Sequence, residues 1–267
     1  MRAGRLQTRR IKMRRRRLRL LAVLLLLLAC GGGLFFALGG EAPLTLSFRE
    51  QTEDLSPAEI TLSLPGEVWY ALQLGAFSGR EAALSAAEEY ISRGAAGYVS
   101  EDAGTYRLLA AAYDTRAAAQ AVGARLKSEQ GIDAYVLEVS RGALSARCKG
   151  QTAQLNALKD AYDCFSACAK QLYTLSCGLD AREKDQRETL EALLSLETTL
   201  RAILERVSRL FPDRPEAAKG LLEGGTLLVK ALSDARAAQS ATDLSGKIKY
   251  AQLLGLDVLL KYTAALY

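Results

Sequence analysis

The chain has 267 residues, contains no histidine, and carries 35 basic against 30 acidic residues. The absence of histidine excludes Ser-His-Asp and Cys-His nucleophile systems and every metal site with imidazole ligands. Ten basic residues lie in 1–19 without an acidic neighbour, which leaves 25 basic and 30 acidic residues in 41–267. This remainder lacks the charge of a nucleic-acid-binding protein. We therefore expect no nucleic-acid partner, no metal and no other cofactor.

A long apolar segment follows the basic tail. Residues 20–40 contain no charged side chain, and about 20 apolar residues span a ~30 Å hydrocarbon core as one helix. Because positive charge stays on the cytoplasmic side, we predict a cytoplasmic tail (1–19), a transmembrane helix (20–40) and an extracytoplasmic remainder of a single-pass plasma-membrane protein. A cleaved signal peptide and a lipoprotein signal with Cys30 as the lipidated residue are the alternatives. The apolar residues that continue beyond Cys30 argue against lipidation, and the length of the apolar segment favours the uncleaved anchor.

A spacer, 41–65, precedes a weak internal repeat. Its residues 60–64 alternate like a brief strand, and Pro65-Gly66 ends it. From Tyr70 onward the sequence YALQLGAFSGREAA aligns without gaps with YRLLAAAYDTRAAA, which begins 36 residues later at Tyr106. Each copy predicts a strand that ends in a helix N-cap, at Ser78 or Asp114, and the first copy has a capping-box pattern.

Strand-like segments also follow both predicted helices. The helices are predicted at about 79–93 and 115–130, each ending at a glycine, and the later strands at 97–100 and 132–137. The resulting order βαββαβ is the ferredoxin-like arrangement, in which both helices cover one face of a four-stranded sheet and the other face is open.

Alternation along the strands assigns side chains to the two faces. Tyr70, Leu72 and Leu74 of the first strand, with Tyr106, Leu108 and Ala110 of the third, face the helices. The open face receives the alternate set, which is Trp69, Ala71, Gln73, Thr105, Arg107 and Leu109. Gln73 then lies beside Arg107, and the pair offers an amide and a cationic fork to a ligand. Taken singly, Gln73 is a solvated polar residue and Arg107 a surface arginine paired with Glu101 or Asp102.

The segment 65–140 resembles the SPOR domain family. The resemblance rests on YALQLGAF (70–77), Tyr106-Arg-Leu108 and the two Ala-rich helices. It implies a ferredoxin-like module of a bacterial envelope protein that binds peptidoglycan glycan strands stripped of stem peptides, at sites of division or of spore septum remodelling. It also implies that Gln73 and Arg107 are ligand positions.

The sequence departs from the family pattern at three places. Ala76 stands where the family often has a small hydroxyl residue, Thr105 where it often has an aromatic one, and Ala111-Ala112 where it has Gly-Pro after the third strand. A glycan without peptides displays N-acetyl amides for Gln73 and, on alternate sugars, a lactyl carboxylate for Arg107. Trp69 is a candidate to cover an apolar sugar face, with plain packing as its alternative.

Residues 141–267 carry helical periodicity. Apolar residues recur every three or four positions, and breaks predict helices at about 142–177, 180–211, 214–239 and 243–265. Short connections predict an antiparallel four-helix bundle. Cys164 and Cys168 lie one turn apart on the first helix, and we interpret them as small apolar core residues rather than a metal pair.

The sequence thus predicts an α+β chain: a transmembrane helix, a SPOR-like glycan-binding domain (66–140) and an all-α bundle (141–267) with a possible protein partner. The expected function is non-catalytic binding of peptidoglycan. One alternative is a membrane-anchored scaffold in which the bundle carries the function and the sheet only packs on it. The other is a wall hydrolase, but Glu88 and Glu89 have the pattern of a solvated helix face.

Overall fold

The structure is a computed structural model that describes residues 53–213 and 215–264. The predicted cytoplasmic tail, the predicted transmembrane helix and the first part of the spacer (41–52) lie outside the described residues. None of the described helices is long and apolar enough to cross a bilayer. The described residues contain, in chain order, β1 (Pro57–Leu64), β2 (Glu67–Phe77), α1 (Arg80–Ile91), β3 (Tyr98–Asp102), β4 (Thr105–Tyr113), α2 (Arg116–Gln130), β5 (Tyr135–Arg141), β6 (Leu144–Gln151), α3 (Thr152–Asp180), α4 (Gln186–Leu210), α5 (Glu216–Arg236) and α6 (Ala241–Ala264).

The segment from β2 to β5 forms the predicted ferredoxin-like unit. Its sheet is antiparallel with strand order β3-β4-β2-β5, so the strands of Gln73 and Arg107 are neighbours. Leu72 and Leu108 are buried on the side covered by α1 and α2, as alternation predicted. The mixed fold class, a β-rich region followed by helices, is confirmed.

The predicted helix caps are each wrong by one residue. The N-cap of α1 is Gly79, without a side-chain cap, and that of α2 is Thr115, whose hydroxyl accepts a hydrogen bond from the amide of Ala118 at 3.2 Å. Asp114 is therefore free for another contact, described below. The predicted stop at Gly131 is confirmed, because this residue ends α2 with a φ of 71°, which glycine adopts without strain.

The start of the first bundle helix is also corrected. Residues 142–151 are not helical; most of them form β6, which pairs antiparallel with β1 along its whole length, from Leu144 opposite Leu64 to Gln151 opposite Pro57. Leu144 is buried while Ser145 and Arg147 are exposed, which is the alternation of a strand with one covered face. The helix α3 begins only at Thr152, with a reciprocal capping box between Gln151 and Gln154.

The four C-terminal helices pack in a ring. Each helix contacts its chain neighbours, and α6 closes the ring against α3. Short connections make such neighbours antiparallel. Cys164 and Cys168 are buried in the helical core, as predicted, and Leu62, Leu64 and Leu144 of the two-stranded ribbon join the same core.

The bundle and the sheet are packed together within one compact unit. The second face of the sheet meets α3 and α6 in a separate apolar cluster, made of Trp69, Ala71, Ala96, Tyr98, Leu109 and Ala112 from the SPOR-like unit and Ala169, Leu253 and Leu256 from the helices. Around this cluster, Tyr173 donates to the Asp114 carboxylate at 2.9 Å and Lys249 donates to the carbonyl of Gly94 at 3.1 Å. The interface between the sheet and the bundle therefore combines apolar burial with specific polar contacts.

Candidate functional site

A β-bulge in β2 brings Ala76 to the same face as Gln73. The pairing advances from Gln73 opposite Leu109 to Ala76 opposite Arg107, with an irregularity between Gln73 and Gly75. Directly paired residues of an antiparallel sheet point to the same side, whereas strict alternation would put residues 73 and 76 on opposite sides. Gln73, Ala76 and Arg107 therefore share one face.

Arg107 and Gln73 are in direct contact. The Arg107 Nη1 donates to the Gln73 side-chain oxygen at 3.2 Å, and Nη2 donates to the Asp102 carboxylate at 3.3 Å. The Arg107 side chain is 28% exposed, and its buried Nε has no hydrogen-bond partner among the described residues. The sequence left two readings of this arginine, a ligand position and an ion pair with Glu101 or Asp102. In the structure the ion pair is with Asp102, and part of the guanidinium stays available.

The face of the sheet that carries these residues is not open along its whole length, which corrects the prediction of an uncovered face. Trp69 is 4% exposed and meets Tyr173 of α3 edge-on, with ring centroids 5.7 Å apart. Ala71 and Leu109 are buried in the same cluster. Alternation along the strands assigned Trp69, Ala71 and Leu109 to the correct side of the sheet. It carried no information about a second layer of helices on that side. Trp69 packs here against the bundle and presents no surface to a ligand.

An uncovered region remains at the other end of this face. We call it the open strip; it consists of Gln73, Ala76, Ser100, Thr105, Arg107 and Tyr135. Ala76 and Tyr135 are exposed, and the others are half-buried. The strip runs across all four strands, since its members come from β3, β4, β2 and β5.

Sequence reasoning missed two members of the strip, Ser100 and the more exposed Tyr135. Tyr135 is the direct partner of Gln73 in the β2–β5 pairing and is 68% exposed. The predicted strand 132–137 included Tyr135, but without a register there was no signal for its side. Once the pairing is known, an exposed aromatic beside an amide and a guanidinium is a surface on which a sugar ring can stack while its polar groups are hydrogen-bonded.

Burial disfavours the thiolate form of Cys164 and Cys168. Burial raises the pKa of the Cys164 thiol to about 12, and the pKa of Cys168 is raised by burial and by the neighbouring Cys164. Thiolate is the nucleophilic and metal-binding form. The part of the chain that the structure describes contains no cluster of three or more metal-ligating side chains.

Residues 69–138 match the family model of the SPOR domain. No curated protein and no solved structure matches the chain. The matched range runs from Trp69 on β2 to Glu138 on β5, so it contains all six residues of the open strip. SPOR domains are peptidoglycan-binding modules and are not catalytic.

Proposed function

Because residues 69–138 form a SPOR domain, we propose that the chain binds peptidoglycan glycan strands that lack stem peptides, through the open strip. The observation that carries the proposal is the Arg107–Gln73 pair, which lies on the uncovered part of the sheet face with one buried guanidinium N–H unpartnered among the described residues. Binding is non-catalytic and holds the protein at septal or remodelled wall during division or sporulation.

The chemistry of the strip favours a stripped glycan over an intact one. Where a stem peptide is attached, the lactyl carboxyl group is consumed in an amide; where it has been removed, the group is a free carboxylate. A carboxylate forms short, charge-assisted hydrogen bonds with a guanidinium, about twice as strong as those between neutral groups. Arg107 therefore discriminates between the two walls, while Gln73 and Tyr135 bind features that both share.

The placement on the membrane completes the proposed function. The uncharged segment 20–40 anchors the chain in the plasma membrane with the basic tail in the cytoplasm, so that the SPOR domain faces the wall. The helical bundle is then free to engage a protein partner beside the wall.

The test is cosedimentation of the full-length chain, in detergent, with wall sacculi that are either intact or amidase-stripped. We expect preferential recovery on stripped sacculi. The Arg107→Ala variant should lose about tenfold or more in affinity, because a hydrogen bond to a charged group contributes roughly 1.5–3 kcal/mol. The Arg125→Ala variant, which changes an exposed arginine on α2, is the matched control and should bind normally. Equal recovery of the wild type on both walls would contradict the proposal.

The burial of half the sheet face favours a second candidate function. With Trp69 and Leu109 packed against helices, the chain also fits a membrane-anchored scaffold in which the bundle carries the function and the sheet supports it. In that case Gln73→Ala combined with Arg107→Ala leaves localisation in cells unchanged, whereas deletion of residues 152–267 abolishes it. Loss of septal localisation in the double variant would exclude the scaffold.

A further inference from the structure

The last helix borders the open strip. On the sheet face, Tyr98 pairs with Leu109 and Leu109 pairs with Gln73, so the three residues form one row across β3, β4 and β2. The helix α6 covers part of this row, since its Leu253 and Leu256 lie in the same apolar cluster as Tyr98 and Leu109. The next row, with Ser100, Arg107 and Ala76, is about 7 Å further along the strands and is uncovered.

One side of α6 lies beside Tyr98, at the border of the open strip. Residues 250, 257 and 261 recur at helical spacing and share one side, which we call the α6 flank. Tyr250 is 40% exposed, and the side chains of Asp257 and Lys261 are 22% and 75% exposed. The core of the bundle is formed by other positions of the helix, among them Leu244, Ile248 and Leu259.

Contacts with Tyr98 fix the flank beside the sheet. The rings of Tyr98 and Tyr250 meet edge-on with centroids 5.3 Å apart. Burial raises the pKa of Tyr98, and the nearby carboxylate of Asp257 raises it further. Asp257 in turn pairs with Lys261 at 2.7 Å. A continuous chain of contacts therefore leads from the row of Gln73 to two exposed side chains of the helix.

We propose that the α6 flank is the second wall of the glycan site, with Tyr250 and Lys261 in contact with the sugar chain that lies on the open strip. The site is then a groove between sheet and helix, and the bundle contributes ligand contacts that a SPOR domain by itself does not have. This inference rests on the proposed function, since its occupant is the same anionic glycan.

The chemistry of the flank matches that occupant. An exposed tyrosine offers an apolar ring and a hydroxyl to a sugar, and a lysine with a long flexible stem reaches a carboxylate beside the helix. Asp257 holds Lys261 in place and also partly neutralises it, so the lysine contact is weaker than that of Arg107. Two cations on opposite sides of the groove suit a polymer that carries a carboxylate on alternate sugars.

The test measures binding of soluble glycan chains, released from sacculi by amidase, to the full-length chain in detergent. We expect Lys261→Glu and Tyr250→Ala each to weaken binding about 5- to 10-fold, and the Lys261 effect to shrink as ionic strength rises because the contact is exposed. The control is Lys159→Glu. Lys159 also pairs with an aspartate one helical turn away, Asp163. It lies on α3 before Ser166, where that helix contacts Glu67 of β2. Thermal unfolding of each variant separates lost binding from lost folding.

The outcomes distinguish this inference from the function on which it rests. Suppose that Arg107→Ala loses binding while Lys261→Glu and Tyr250→Ala remain folded and bind like the wild type. The proposal that the α6 flank contacts the glycan is then contradicted, and the proposed glycan-binding function is supported. If the wild-type protein does not bind the released glycan chains, both the proposed function and the proposed role of the α6 flank are contradicted. A loss in the Lys261 and Tyr250 variants with an unchanged Lys159 variant supports the groove.

Discussion

Arg107 has more donors than its described partners occupy. A guanidinium carries five N–H groups in a fixed fork, and the contacts of Arg107 with Gln73 and Asp102 use one each on Nη1 and Nη2. Asp102 has an exposed side chain, so its ion pair is of the surface type that contributes little to stability. Nη1 and Nη2 each keep one further N–H, which an incoming carboxylate can take without a large loss of internal energy. The arrangement positions Arg107 and leaves it available.

Glu197 supports a prediction about acid stability. It is 6% exposed on α4 and accepts hydrogen bonds from Arg201 at 2.7 Å and from Arg236 of α5 at 2.8 Å. Burial by itself raises the pKa of Glu197, but the two arginines outweigh it and hold the pKa below the ordinary value of a glutamate carboxyl. A lowered carboxyl pKa stabilises the fold above the unfolded-state pKa, and this contribution is lost as pH falls through the folded value.

We therefore expect Glu197→Gln to lower the free energy of unfolding by about 1–3 kcal/mol at neutral pH. The difference from wild type should shrink as the pH falls below the ordinary pKa of a glutamate carboxyl and through the lowered pKa of Glu197. Urea unfolding at a series of pH values measures the loss of stability and its dependence on pH. Glu191→Gln is the control, because Glu191 pairs with Arg187 in a fully exposed i,i+4 contact on the same helix and should change stability by less than about 0.5 kcal/mol. Equal effects of the two substitutions would contradict this account.

At the scale of elements, α6 depends on a close approach to the loop before β3. A Cβ at Gly246 would lie 3.0 Å from the carbonyl oxygen of Ala95, a backbone atom that cannot rotate away. We expect Gly246→Ala to destabilise the fold by about 1–2 kcal/mol even though alanine favours the helix. Gly255→Ala on the same helix is the control: its Cβ would meet Leu228 at an ordinary 3.5 Å. The midpoint temperature of thermal unfolding should rise for Gly255→Ala and fall for Gly246→Ala. A rise in both variants would contradict close packing of α6 against this loop.

The elements differ in how far the sequence predicts them. The order βαββαβ and the four long helices follow from local patterns, namely caps, stops and periodicity. The strand β6 was mistaken for helix because its partner β1 lies almost ninety residues earlier in the chain, and a short alternating segment has no local sign of such a partner. The bulge at Gln73 was likewise invisible, although it decides that Ala76 belongs to the site. Gln73 and Arg107 were placed correctly beside each other because alternation and strand order suffice for that.

At the scale of the whole molecule, the helices act on the site by covering what lies next to it. The sheet face is continuous from Trp69 to Ala76, and a SPOR unit by itself would expose all of it. Docking of α3 and α6 buries the apolar half and leaves the polar half as the strip. Residues 66–140 do not show which elements cover the face, since the covering residues come from 169–256. The burial also explains the composition of the face, which is apolar where it meets helices and polar where it meets solvent.

Unfolding tests whether sheet and bundle are one cooperative unit. The single tryptophan of the chain, Trp69, lies in the interface at 4% exposure, whereas far-UV circular dichroism reports mainly the helices. Because apolar burial and the Tyr173–Asp114 and Lys249–Gly94 hydrogen bonds join the two parts, we expect fluorescence and circular dichroism to give the same midpoint in urea. Glycan bound to the strip should raise both midpoints together, since it binds only the folded state. A fluorescence transition at lower urea than the helical one would mean that the sheet undocks first, and that Trp69 and the apolar half of the face then become accessible to the wall.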